Sequence, residues 1–225
     1  DCTVYHSTVV REDFERMLAM EADRFFNLDY PEEDFRTEAL AIAGEHNKDA
    51  AEPATKLYEV LRDTAFDRHT YKHTTMGFLR DIKRMPEMYA YSRTFFDRFY
   101  RPEYTTIIVA GDIDPAQVEA LVEKYWGAWR RGSWTQQPET EPPPSGPREA
   151  TVPWPTHTRP YLLFGFHAPA YSDDSPDSAA LDLAAYIGFS ENSRLYQKLI
   201  IEEQSCDLLW ALKPEHVDPY LFTIK

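Results

Sequence analysis

Apolar residues recur along this chain at two different periods, and the changes between them mark out its elements. Phe14, Met17, Leu18, Ala22, Phe25 and Phe26 return every three to four positions and predict an amphipathic helix over about 11–27. A second helix follows Pro31, which suits a first-turn position, and carries Phe35, Ala39, Ile42 and Ala43 at helical spacing. Leu57, Val60, Leu61 and Ala65 predict a third from Pro53, running into the polar stretch 68–77. Phe78, Leu79 and Ile82 come next, then an aromatic helix around Tyr89 to Tyr100. The run Thr105 to Ala110 is β-branched and apolar, the pattern of a buried strand. The turn after it ends in Asp114 as N-cap, Pro115 at the first helical position and Gln117 as a capping-box partner. Val118, Leu121, Val122, Tyr125, Trp126 and Trp129 then form one face of a helix.

Residues 135–160 differ in kind. Gln136 to Pro147 is Pro-rich and non-periodic, which predicts an extended, semi-rigid linker. Beyond it, Tyr161 to Phe166 predicts a strand, and Ser175-Pro176 caps a helix carrying Ala180, Leu181, Leu183, Ala184 and Ile187. A helix over Leu195 to Ile201 and a strand from Leu208 follow. Strands and helices do not alternate as in a parallel βαβ series, so the expected class is α+β. The expected organisation is a domain over 1–134, a linker over 135–160 and the beginning of a second domain over 161–225. Strand-like runs at 1–9 and 219–225, each without a closing element, make the chain read as a fragment.

Within the second helix, Glu38 and Glu45 lie seven residues apart in a small, apolar setting. Seven residues at 3.6 per turn fall within about 20° of two full turns, so both carboxylates share one face, roughly 10 Å apart along the axis. Carboxylates beside a buried stripe either point to water or need a cation or hydrogen-bond partner.

Composition narrows what that pair can serve. The 225 residues are 43% hydrophobic and 14% aromatic, enough for a packed core. A net charge of −14 and a pI near 4.9 exclude a phosphate-binding surface, which needs clustered Lys and Arg, so no nucleic-acid partner is expected. No stretch approaches the roughly 18 apolar residues of a spanning helix. Cys2 and Cys206 form neither a CxxC pair nor a disulfide framework. A hydrolytic zinc centre needs three protein ligands and an open position, and no local motif here supplies them. Ile42-Ala43-Gly44-Glu45-His46 approaches HxxEH but has Ile where the first His is required. His69 and His73 lie four apart, but Thr-Tyr-Lys between them supplies no base, and the run reads as an exposed polar turn. GxSxG, GxGxxG and phosphate-loop motifs are absent.

Several runs resemble, in the right order, the pitrilysin/insulysin family of zinc peptidases, in its two-domain bacterial and mitochondrial-processing branch. They are Thr3 to Thr8, Glu21 to Arg24, Glu38-x6-Glu45, His69-Thr70-Tyr71 to Gly77, Phe99 to Pro102, and Ile107 to Asp112. Past the linker, Tyr161 to Pro169 and Ser193-Arg194-Leu195-Tyr196-Gln197-Lys198-Leu199 resemble the start of that family's second, homologous domain. The resemblance implies two homologous α+β domains, the first lacking its N-terminal part and the second truncated.

It also implies a zinc-dependent endopeptidase that cleaves peptides or unfolded proteins in a chamber between paired domains. Glu45 stands where the family places its last zinc ligand, and Glu38 where it places a supporting carboxylate. The HxxEH helix would precede Asp1. The family's Arg and Tyr, which hold the substrate carbonyl, correspond here to Ile200 and Asp207. Ile has no donor, and an ionised Asp would repel a developing oxyanion. Either a homologous partner in a homo- or heterodimer supplies the pair to a zinc-bearing subunit, or the chain is an inactive structural or peptide-binding homologue.

Overall fold

The Phe14-to-Phe26 periodicity forms helix α1 over those residues, entered through a 3-10 turn at Arg11–Asp13. Helix α2 spans Glu32–Asp49 and α3 spans Pro53–Ala65, with Pro53 in its first turn. Short α4 covers Leu79–Arg84, α5 the aromatic stretch Tyr89–Phe99, and α6 Pro115–Trp126. The structure, a computed structural model, describes residues 2–225. Asp114 caps α6 as its sequence predicts, accepting the Ala116 N–H at 3.0 Å. After the Pro-rich segment come β1 (Phe164–Ala168), α7 (Pro176–Phe189), α8 (Arg194–Tyr196) continuing into a π-helical turn at Gln197–Glu202, then β2 (Ala211–Leu212) and β3 (Tyr220–Ile224). The class is α+β, as expected.

The chain divides into two compact units. One comprises residues 2–43 and 80–137, the other residues 44–79 and 138–225. In the first, α1 packs on α6 around buried Leu18, Ala22 and Trp126, and Phe25, Phe26, Leu121 and Trp129 close over them. The α1 stripe and the α6 stripe read from the sequence are the two halves of this core. Tyr30, Phe35 and Tyr89 stack nearby, and Arg93 lies over the Tyr30 ring at 5.3 Å.

The second unit is built on a three-stranded antiparallel sheet, order β1-β3-β2, with Phe164 opposite Ile224, Ala168 opposite Tyr220 and Ala211 opposite Ile224. Helix α3 lies against β1, and buried Phe66, Tyr71 and Leu221 form the core with Leu61, Ala65 and Tyr220 around them. A Cβ at Gly165 would meet the methyls of Leu61 and Leu221 at 3.2 Å, so β1 approaches α3 closely there because it carries no side chain.

Two expected strands are corrected. Residues 105–110 pair with no strand among the described residues, and Ile108 is 85% exposed. Residues 2–9 run without a ladder partner, anchored by Tyr5, whose ring meets Phe25 and whose hydroxyl bonds that of Tyr100. β-branched residues fit a pleated, half-buried surface, but the strand exists only where a neighbouring ladder supplies its hydrogen bonds.

Candidate functional site

Helix α2 presents two different sides. Ala39 and His46 are buried, and Phe35, Ile42 and Ala43 are half-buried, so they form the inward stripe. Glu38 and Glu45 are exposed. Helical geometry puts the two carboxylates within about 20° of each other and about 90° round the axis from the centre of that stripe. Neither enters an ion pair among the described residues, although Glu32 at the start of the helix pairs with Arg36 at 2.8 Å. His46 projects along the inward stripe, about 100° from Glu45, and does not converge with it. Its buried Nδ1 has no hydrogen-bond partner.

Among the described residues no three His, Cys, Asp or Glu side chains come together to hold a metal ion. Glu45 is a single carboxylate donor, and the residues present do not make up a zinc centre by themselves. Ile200 is half-buried in the π-helical turn, and Asp207 is exposed and ion-paired with Arg159. Neither side chain offers a donor to an oxyanion. A groove of about 530 Å³ beside α6 is lined by Ile107, Val109, Ile113, Val118 and Val122, with Glu119 and Glu123 as its carboxylates.

The His69 turn is not the exposed polar turn its sequence suggests. His69 is 5% exposed and Tyr71 is 7% exposed. The His69 Nδ1 accepts the Tyr71 N–H at 3.1 Å, which leaves the proton on Nε2 to be donated to Asp218 Oδ2 at 3.3 Å. The Asp218 N–H is donated to the Tyr71 hydroxyl at 3.4 Å. Because this His is used up as a turn cap and core contact, with its ring 4.1 Å from that of Tyr71, its role is structural. His73 turns away, its Nδ1 donating to the Thr74 carbonyl at 2.8 Å, so the two histidines share no helix face.

The last carbonyls of α3 are satisfied from the same region. Lys72 Nζ donates to Asp63 and Phe66, Arg148 to Thr64, and His167 to Ala65, at 2.6 to 3.0 Å. Cations and N–H donors at a helix C-terminus meet its orphan carbonyls and its negative dipole end. The next three N–H groups, of Asp67, Arg68 and His69, all donate to Glu141. Nothing in the sequence marks Glu141 for this: it sits in a non-periodic segment, more than seventy residues from its partners.

Residues 89–212, more than half of the chain, match the family described as Peptidase M16 inactive domain, and the chain belongs to the M16, pitrilysin-type peptidase family. It is 25% identical over 205 residues to the zinc protease PqqE of Helicobacter pylori, a match covering 89% of this chain and 45% of that protein. The crystal structure of a protease from Helicobacter pylori superposes with a TM-score of 0.83 at 22% identity, covering 96% of this chain and 52% of that one. A peptidase M16 inactive domain from Pseudomonas fluorescens gives 0.74 at 15% identity, over 97% and 52%. The periplasmic protease PqqL from Escherichia coli gives 0.62 at 15%, over 97% and 25%. The solved structures establish the fold. The chain spans about half the length of the curated relative it matches.

Proposed function

We propose that this chain is part of a zinc-dependent endopeptidase of the M16 type, in which Glu45 supplies one ligand to the metal and Glu38 supports the site. The observation that carries the proposal is the outward flank of α2: two carboxylates a heptad apart on one rigid helix, both exposed and outside the ion pairs among the described residues. A carboxylate so held is available to bind a cation, and its neighbour to orient a ligand or a water. Bound zinc in such a site polarises a carbonyl and lowers the pKa of its water. Glu45 is one donor where such a centre needs three, so two His ligands and the general base would come from polypeptide outside these residues. The similarity to a protein named as a zinc protease supports the choice of metal.

In this proposal residues 1–134 and 161–225 belong to two homologous domains joined by 135–160. An extended peptide or unfolded protein would add to a sheet edge, gaining main-chain hydrogen bonds with modest selectivity for its side chains. With Ile200 and Asp207 unable to stabilise an oxyanion, those donors would come from a homologous subunit. The test compares the full-length protein with its Glu45→Gln and Glu38→Gln variants. Zinc content is expected at one per wild-type chain, strongly reduced in Glu45→Gln and retained in Glu38→Gln, whose peptide turnover falls. Equal zinc in all three proteins would overturn the assignment.

A second reading is a catalytically inactive structural or peptide-binding subunit, and what supports it is the match of more than half of the chain to the family's inactive domain. That reading expects full-length protein that neither retains zinc nor cleaves peptide.

A further inference from the structure

A carboxylate from the Pro-rich segment sits in a cradle of three consecutive backbone N–H groups. Asp67 N–H donates to Glu141 Oε1 at 2.7 Å, and the N–H groups of Arg68 and His69 donate to Oε2 at 2.8 and 2.9 Å. Successive amides converging on one anion form a nest, and hydrogen bonds to an ionised acceptor are about twice as strong as neutral ones. Seven residues later Arg148 grips the same turn from the other end. Its guanidinium forks onto Asp67, Nη1 to Oδ1 at 2.9 Å and Nη2 to Oδ2 at 2.6 Å, and Nη1 also donates to the Thr64 carbonyl at 3.0 Å.

Between these anchors lies Pro142-Pro143-Pro144-Ser145-Gly146-Pro147, four prolines in six residues. That stretch has no secondary structure of its own, and its prolines have no N–H to donate. Its hold on the unit therefore comes from its two ends, and its stiffness keeps the entropy lost on clamping small.

We propose that Glu141 and Arg148 form a two-point latch that clamps residues 141–148 as a releasable strap across the C-terminal turn of α3, the amides of Asp67 to His69 being a carboxylate site that the chain fills with its own side chain. Release would free the strap and open the amide nest to another carboxylate, while the core around Phe66 and Leu221 stays folded. The strap also restrains a protease site, because trypsin cleaves a segment that can leave the surface and extend, and residues 141–148 are anchored at both ends.

Amide hydrogen exchange and brief trypsin digestion of the whole chain test this together. In Glu141→Ala, exchange at Asp67, Arg68 and His69 and cleavage after Arg148 should rise by about tenfold or more, with the β1 and β3 amides unchanged. Glu141→Gln, which keeps one acceptor oxygen and the side-chain volume, should fall between wild type and Glu141→Ala. Acetate should restore protection of the three amides in Glu141→Ala, and chloride at equal ionic strength should not. Unchanged exchange and cleavage in both variants would overturn the latch. So would a rise shared by every amide of the unit, because the strap would then be inseparable from the core. Failure of acetate to protect the amides would overturn the carboxylate site. None of these outcomes depends on zinc or peptidase activity.

Discussion

Gly44 lies inside α2, next to Glu45, with no atom within 4 Å of where a Cβ would stand. Glycine in a helix interior costs about 0.5–1 kcal/mol relative to alanine, chiefly in backbone entropy. Gly44→Ala should therefore stabilise the chain by about that much, read as a higher urea midpoint at unchanged slope. Several groups give the chain an acid sensitivity, His216 and Glu141 beside Asp67 and Glu15, whose carboxyls Arg148 and Lys124 hold below their ordinary values. Burial lowers the His216 pKa below its ordinary 6.5, so the unfolded chain takes up that proton first and stability falls as pH drops from about 6.5. Burial opposes ionisation of Glu141, but the amides of His69, Arg68 and Asp67 outweigh it and hold the carboxyl below 4.5; that contribution is present above 4.5 and is lost as pH falls through the folded value. A pH series of urea unfolding should show stability falling below about pH 6.5 and again through the carboxylate range, with Glu141→Gln reducing the second fall while Asp67 and Glu15 keep the rest of it. The Glu38/Glu45 pair was legible because helical spacing alone brings residues seven apart onto one flank. Glu141 and His69 were not, because their roles depend on partners far away in sequence.

At the scale of elements, helices were legible and strands less so. An α-helix closes its own hydrogen bonds and shows its buried stripe every three to four residues, which is why α1, α3, α5 and α6 lie close to where their apolar positions predict. A strand borrows its partners from elsewhere. Phe164–Ala168, overlapping only the end of the expected 161–166 strand, pairs as β1 with Tyr220–Ile224 as β3, whereas 105–110, with equally strand-like composition, pairs with nothing among the described residues. The sheet's closest contact with α3 gives a test of that packing. Gly165→Ala would press a methyl against Leu61 and Leu221, and should destabilise the chain by about 1–3 kcal/mol, while Gly165→Ala combined with Leu61→Ala should cost less than the sum of the two single changes.

At the scale of the molecule, family membership and fold stand on the matched 124 or so residues and on the superposition with solved M16 structures. The chemistry rests on one helix flank. The sequence carried the family through the order of its motifs, but it could not show how far each candidate residue is from a complete site. The structure shows Glu45 exposed on its helix with no second or third donor among the described residues, Ile200 half-buried, and Asp207 exposed and paired with Arg159. The zinc centre is therefore proposed as one assembled from this chain and further polypeptide. Anomalous diffraction at the zinc edge from crystals of the full-length protein is the most direct measurement of that claim. One zinc peak is expected, with a Glu45 carboxylate oxygen about 2.0–2.2 Å away and Glu38 outside the inner coordination sphere. A zinc whose protein ligands do not include Glu45, or no zinc peak in zinc-replete crystals, would contradict it.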